Sequence, residues 1–168
     1  MKTVLRILWL PAALFAMCLG WLWLDAERGW HGIQLPLLGW FLVLLGGALA
    51  IWCALIFRLR GEGTPHPFAM KTKHLVTSGP FAIVRNPMMW GIGALLVGLA
   101  FLLGSVGLWF GFAFFVLFVI RFVPRFEEPD MERRFGDEYR EYCRQVPRWW
   151  PHLTHTHSPT QQQARSRN

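Results

Sequence analysis

Thirty-three consecutive residues without a charge, Met88 to Ile120, constrain this chain more than any other feature. As a single helix the run would measure roughly 50 Å at about 1.5 Å per residue. The hydrocarbon core of a bilayer is only about 30 Å thick. A hairpin of two short helices, turning at Gly104-Ser105-Val106-Gly107, satisfies both numbers. Each arm then has about sixteen residues, near the lower limit for a span.

Flanking charge supports the hairpin. The segment Arg58–Pro87 holds Arg58, Arg60, Lys71, Lys73 and Arg85 against Glu62 alone. From Arg121 onward the chain holds nine arginines and seven acids. The loop Asp25–Gln34 has one basic residue, Arg28. Because Lys and Arg mark the cytoplasmic side, both flanks of the long run belong there, which requires an even number of crossings. Two earlier apolar runs complete an all-α integral membrane fold of about four transmembrane helices. The predicted spans are 4–24, 35–57, 88–103 and 106–123, the last two a tight hairpin, with both termini cytoplasmic. In a bacterial setting this is the inner membrane. Residues 1–151 form a single domain on this reading.

Composition agrees. The charged fraction is 16% and the hydrophobic fraction 54%, whereas a soluble domain carries about 25% charged residues. Trp21, Trp23, Trp30, Trp90, Trp149 and Trp150 fall where spans meet the interface. The net charge of +7 sits beside apolar segments, so it points to an anionic membrane surface and not to nucleic acid. Lys2 and Arg6 before an apolar run resemble a signal peptide, but eighteen uncharged residues, Ile7 to Leu24, are long enough for a retained span with Pro11 as a kink. Cys18, Cys53 and Cys143 have no metal-ligand spacing and read as free thiols. His152, His155 and His157 lie in a polar stretch, 152–168, that reads as a disordered tail with no metal site.

After the hairpin comes a cytoplasmic amphipathic helical tail. Pro129 suits a first helical position, and Met131, Phe135, Tyr139 and Tyr142 recur at helical spacing. Gly136 divides the tail, with Asp137 expected as the cap of the second piece.

Three polar stretches would meet at the cytoplasmic face. They are Gly61-Glu62-Gly63-Thr64-Pro65-His66-Pro67, then Leu75 to Gly91, then the acidic pair Glu127-Glu128. Acids at an interface are costly unless hydrated or partnered. Arg85, the Asn86 amide and N–H groups near Gly79 and Gly91 supply complementary chemistry. Such a set suits S-adenosylmethionine: carboxylates for its amino group or ribose, a guanidinium for its carboxylate. Trp90, Tyr139 and Tyr142 offer aromatic faces for the adenine or the sulfonium.

The ordered set Gly-Thr-Pro-x-Pro, Leu-Val-Thr-x-Gly-Pro, Val-Arg-Asn-Pro-Met, apolar hairpin, Glu-Glu, Phe-Gly-Asp-Glu-Tyr-x-x-Tyr and Val-Pro-Arg-Trp-x-Pro resembles the superfamily of isoprenylcysteine carboxyl methyltransferases and phospholipid methyltransferases. The resemblance spans about Leu35 to Pro151. It implies a helical membrane bundle with S-adenosylmethionine at the cytoplasmic end. It further implies that Gly79, Pro80, Arg85, Asn86, Pro87, Trp90, Gly91, Glu127 and Glu128 line the cofactor pocket. Asn86 and Met89 stand where the carboxyl methyltransferases often have His and Tyr; Asn-Pro-Met-x-Trp-Gly is closer to phosphatidylethanolamine N-methyltransferases.

A lipid amine must lose a proton before methylation, and Glu127, Glu128, His74 and Tyr139 are the candidate acceptors. Arg148 and Tyr142 are the candidate substrate contacts. The expected activity is methylation of a membrane lipid, foremost phosphatidylethanolamine. Alternatives are a carboxyl methyltransferase and a membrane reductase using a nicotinamide cofactor; no glycine-rich dinucleotide fingerprint is present for the latter.

Overall fold

The computed structural model describes residues 16–61 and 73–151. The start of the first span with Pro11, the stretch Glu62–Pro67 and the tail 152–168 lie outside the described residues. Every regular element among the described residues is helical. A helix α1 covers 16–28, α2 is Pro36–Arg60, α3 Pro87–Leu103 and α4 Val106–Phe122. Two short helices follow, α5 at Glu128–Phe135 and α6 at Asp137–Gln145.

Helix boundaries follow local chemistry. Pro36 and Pro87 open α2 and α3 at positions where a missing N–H costs nothing. Gly104, at φ +59°, ends α3 in the left-handed conformation that a side chain resists. Ser105 then caps α4 by accepting a hydrogen bond from the Leu108 N–H at 3.0 Å. These two residues make the tight turn between α3 and α4.

Two helical runs, Pro36–Arg60 and Val106–Phe135, are long and apolar enough to cross a membrane; α3, with 17 residues, is apolar but shorter. Only 17% of the apolar window of α2 is buried within the protein. Leu37, Trp40, Phe41 and Leu44 are exposed on it. A soluble core helix would bury such residues, so this surface needs a non-aqueous solvent.

Glycines set the packing. α2 and α3 run antiparallel and touch backbone to backbone. A methyl group on Gly46 would sit 2.5 Å from the Gly91 carbonyl oxygen, and one on Gly98 2.9 Å from that of Gly39. With no hydrophobic drive between helices in lipid, such close approach is what holds them. α1 packs on α4 in the same manner, Trp21 lying against Gly107 and stacking on Phe110 at 5.3 Å. Gly111 meets the Cys18 sulfur.

The end of the bundle at the α3–α4 turn carries one buried polar knot. Asp25, 6% exposed, accepts from the Ser105 hydroxyl at 2.5 Å and from the Gly107 N–H at 3.1 Å. It joins the end of α1 to the start of α4 and neutralises that helix's open N–H groups.

At the opposite end, α4 does not stop at its membrane exit. A π-helical turn, Val123–Glu127, carries it into α5. The Asp137 side chain does not cap α6: Gly136 holds the N-cap position, and Asp137 lies in the first turn, paired with Arg140 at 2.8 Å. An acid there still complements the helix dipole.

Candidate active site

Four segments converge at the end where α2 and α4 finish and α3 begins. Phe81, in a short 3-10 turn Gly79–Ala82, packs with Cys53, Ile56 and Val76 and so anchors the segment before α3 to α2. The Tyr142 hydroxyl donates to the Phe81 carbonyl at 2.7 Å, which fixes α6 to the same turn. Residues 147–150 then return across the start of α3 as a strap. The Arg85 N–H donates to the Pro147 carbonyl at 2.9 Å, and the Trp90 indole N–H to the Trp149 carbonyl at 3.0 Å. The Asn86 amide faces the Arg148 carbonyl at 3.5 Å.

Within this frame lies a small cavity of about 60 Å³, walled by Phe57, Leu75, Val76 and Phe81 on its apolar side and by Arg85, Asn86, Glu127, Glu128, Tyr139 and Tyr142 on its polar side. Glu128 is gripped by two arginines. Arg148 holds it bidentately at 2.8 and 2.5 Å, and Arg85 reaches it at 2.8 Å. The fork geometry is the strong form of the carboxylate–guanidinium pair. Arg85 is largely buried, and it also donates to the Cys143 sulfur at 2.7 Å. Its Nε–H is buried with no partner among the described residues.

Glu127 differs from its neighbour. It lines the same cavity, yet among the described residues it has no hydrogen-bond or ion-pair partner. Burial, and then the negative charge of Glu128, push its carboxyl up to about 7. Burial also drives the Tyr139 hydroxyl upward, aided by Glu128, so it stays protonated at neutral pH. Tyr142 shifts the same way, chiefly by burial. Hydrogen bonding to Glu128 holds Arg148 charged.

Six of the thirteen expected residues share one cavity, Arg85, Asn86, Glu127, Glu128, Tyr139 and Tyr142, and Arg148 joins them through Glu128. Others stand apart. His74 is exposed and is not part of the cavity wall. Gly79, at φ +65°, abuts Ile56, Pro80 is buried in the turn, and Pro87 is the first residue of α3. Gly91 faces α2. Trp90 turns to a second, apolar cavity between α3 and α4.

Sequence reading left out Phe57, Phe81 and Met131 as wall residues and Cys143 as an Arg85 partner. The Cys143 position had a usable signal, because it follows Tyr139 by four residues and lies on the same helix face.

A protein of Haemophilus influenzae described only as uncharacterized is 43% identical over 47 residues, covering 28% of this chain and 75% of that protein. No solved structure matches at a significant level. The family model described as phospholipid methyltransferase matches residues 35–138, which takes in α2, the whole α3–α4 hairpin, the acidic pair and the start of α6. The chain belongs to the phospholipid methyltransferase family.

Proposed function

We propose that the protein transfers a methyl group from S-adenosylmethionine to the amine headgroup of a membrane phospholipid, phosphatidylethanolamine or a close relative, at the cytoplasmic face of a four-span bundle formed by residues 1–151. The observation that carries this reading is the unequal acid pair: Glu128 neutralised by two arginines, Glu127 unpartnered with its carboxyl near 7. Family membership supports methyl transfer, and the exposed apolar helices support a membrane-borne acceptor.

The side chains present fit the cofactor by type. Arg85, with an orphaned buried Nε–H, and Arg148 suit its carboxylate. Glu128 suits its ammonium or ribose hydroxyls, and Tyr139 and Tyr142 suit its sulfonium or ring. When bound, S-adenosylmethionine supplies an electrophilic methyl carbon and leaves as the thioether. The present cavity, at about 60 Å³, is far below the roughly 300–1,000 Å³ of small-molecule sites. Arg148 is the most exposed member of the cluster, so its release from Glu128 is the movement that makes room.

Glu127 then acts as the base. The ammonium headgroup must lose a proton before nitrogen forms its new bond to carbon, and a carboxyl near 7 accepts it at the working pH. Glu128 is a poorer acceptor because its oxygens are spent on guanidinium groups. Tyr139 is already protonated, and His74 lies outside the cavity. Carboxylate acceptors need no base, so the amine reading gives Glu127 a role that ester formation does not.

The test is calorimetric titration of purified protein with S-adenosylmethionine and with NADPH, followed by product analysis in lipid nanodiscs. Micromolar S-adenosylmethionine binding with methylated phosphatidylethanolamine as product supports the reading. A base-labile methyl ester as the product moves the acceptor to a carboxylate. Binding of NADPH alone replaces methyl transfer with reduction.

A further inference from the structure

A second cavity lies alongside the first and has no part in the cofactor chemistry. It runs between α3 and α4, has a volume of about 510 Å³, and is lined by Met89, Gly93, Val97, Phe112, Phe115 and Trp149 among other apolar side chains. No charged side chain among the described residues lines it. Its mouth is formed by Trp90 and Trp150, whose rings meet edge to face at 5.0 Å. The Trp90 N–H is already committed to the Trp149 carbonyl, so the ring faces at the mouth are apolar.

We propose that this groove holds one acyl chain of the lipid substrate, with the headgroup carried toward Glu127. Met89 lines both cavities, so the groove ends against the acidic site. Its width selects the occupant. A methyl group on Gly93 would already touch the Phe112 ring at 3.5 Å, so the crevice between α3 and α4 is narrow at that level and its open volume lies beside that contact. A partner helix about 10–12 Å across does not enter such a slot; a polymethylene chain does. The volume falls in the range of small-ligand sites, roughly 300–1,000 Å³. Tryptophan at the mouth fits the depth at which headgroup gives way to hydrocarbon. Small Gly93 on α3, opposite Phe112 and Phe115 on α4, therefore makes the groove.

This assignment rests on the lipid methyltransferase reading, and its test separates the two. The first arm needs no catalysis. Full-length protein in nanodiscs is photolysed with a phosphatidylethanolamine bearing a mid-chain diazirine, and the adducts are mapped by peptide. The expected result is labelling in the Phe112–Val116 stretch that falls at least fivefold in Gly93→Leu, while labelling of the outer face of α2 is unchanged. Gly93 tolerates a Cβ at ordinary contact distance; should Gly93→Leu fail to fold, Val97→Phe, one turn deeper, fills the same groove. Labelling that persists in a folded groove-filling variant overturns the assignment.

The second arm reads chain length. With dioleoyl substrate the variant's KM rises at least tenfold, while kcat/KM for a dihexanoyl substrate and the affinity for S-adenosylmethionine stay within twofold of wild type. Equal losses on both substrates, or none on either, overturn the groove. If the wild type methylates neither lipid yet its groove labelling holds, the methyltransferase reading fails and the acyl site survives.

Discussion

Glu127 is where one residue's environment has the largest chemical consequence. Its carboxyl lies near 7 instead of the ordinary carboxylate range because burial and Glu128 disfavour its charge. Activity that uses it as a base rises with pH through about 7 and then levels, and Glu127→Gln lowers kcat by about 10²–10⁴-fold without that rise. Stability moves the other way. A group whose folded pKa is raised costs nothing below its unfolded value and destabilises the fold as pH climbs through the folded one. Glu127→Gln should thus raise the unfolding free energy at pH 8 by about 2–3 kcal/mol, seen as a higher melting temperature, and leave it nearly unchanged at pH 4. Arg85→Ala has the opposite sign, because Glu128 is then left to the rim-exposed Arg148; thermal unfolding should show a loss of about 1–3 kcal/mol. The residue types at this site were legible from sequence, since an acidic pair beyond a span demands cations. Which acid keeps the cations was not. The bond from Arg148 to Glu128 spans 20 positions and that from Arg85 to Cys143 spans 58, and no local periodicity encodes either.

Between elements, glycine position decides more than glycine number. Gly46 and Gly47 are adjacent on α2, but only Gly46 meets backbone. Gly46→Ala should destabilise the bundle by about 2 kcal/mol or more through overpacking. Gly47→Ala, whose methyl group has its nearest contact at 3.9 Å, should be neutral or stabilising by up to about 1 kcal/mol from helix propensity. Denaturation in detergent, read by circular dichroism, tests the pair. Helices α2, α3 and α4 begin and end within three residues of the apolar runs 35–57, 88–103 and 106–123, because proline starts and a Gly-Ser turn are written in the local sequence. The π turn was not visible in the sequence; Val123, at its start, is packed in the core with Phe115 and Val119. Trp21 and Cys18 of α1 pack against Gly107 and Gly111 of α4, a pairing of helices that the sequence alone did not reveal.

At the scale of the whole molecule, polarity is segregated to the two ends. The Asp25 knot closes one end, and the acidic cavity occupies the other. In a cysteine-free background, His31→Cys and Arg133→Cys should react with a membrane-impermeant maleimide from opposite sides of the bilayer. Reaction from one side would overturn the proposed topology. Hydropathy and charge made the helical membrane architecture legible, but the two cavities were not, because each is a gap between elements far apart in sequence. The strap at 147–150 has a consequence in time. A ribosome has produced every described helix of the bundle before it reaches Pro147, Arg148 and Trp149, which bind the start of α3 and Glu128. Helices inserted up to Gln145 would already hold Glu127 and Glu128 but not the strap that pairs with Glu128. A chain cut short after Gln145 would thus carry both acids and lack the Arg148 fork on Glu128 and the strap across the start of α3.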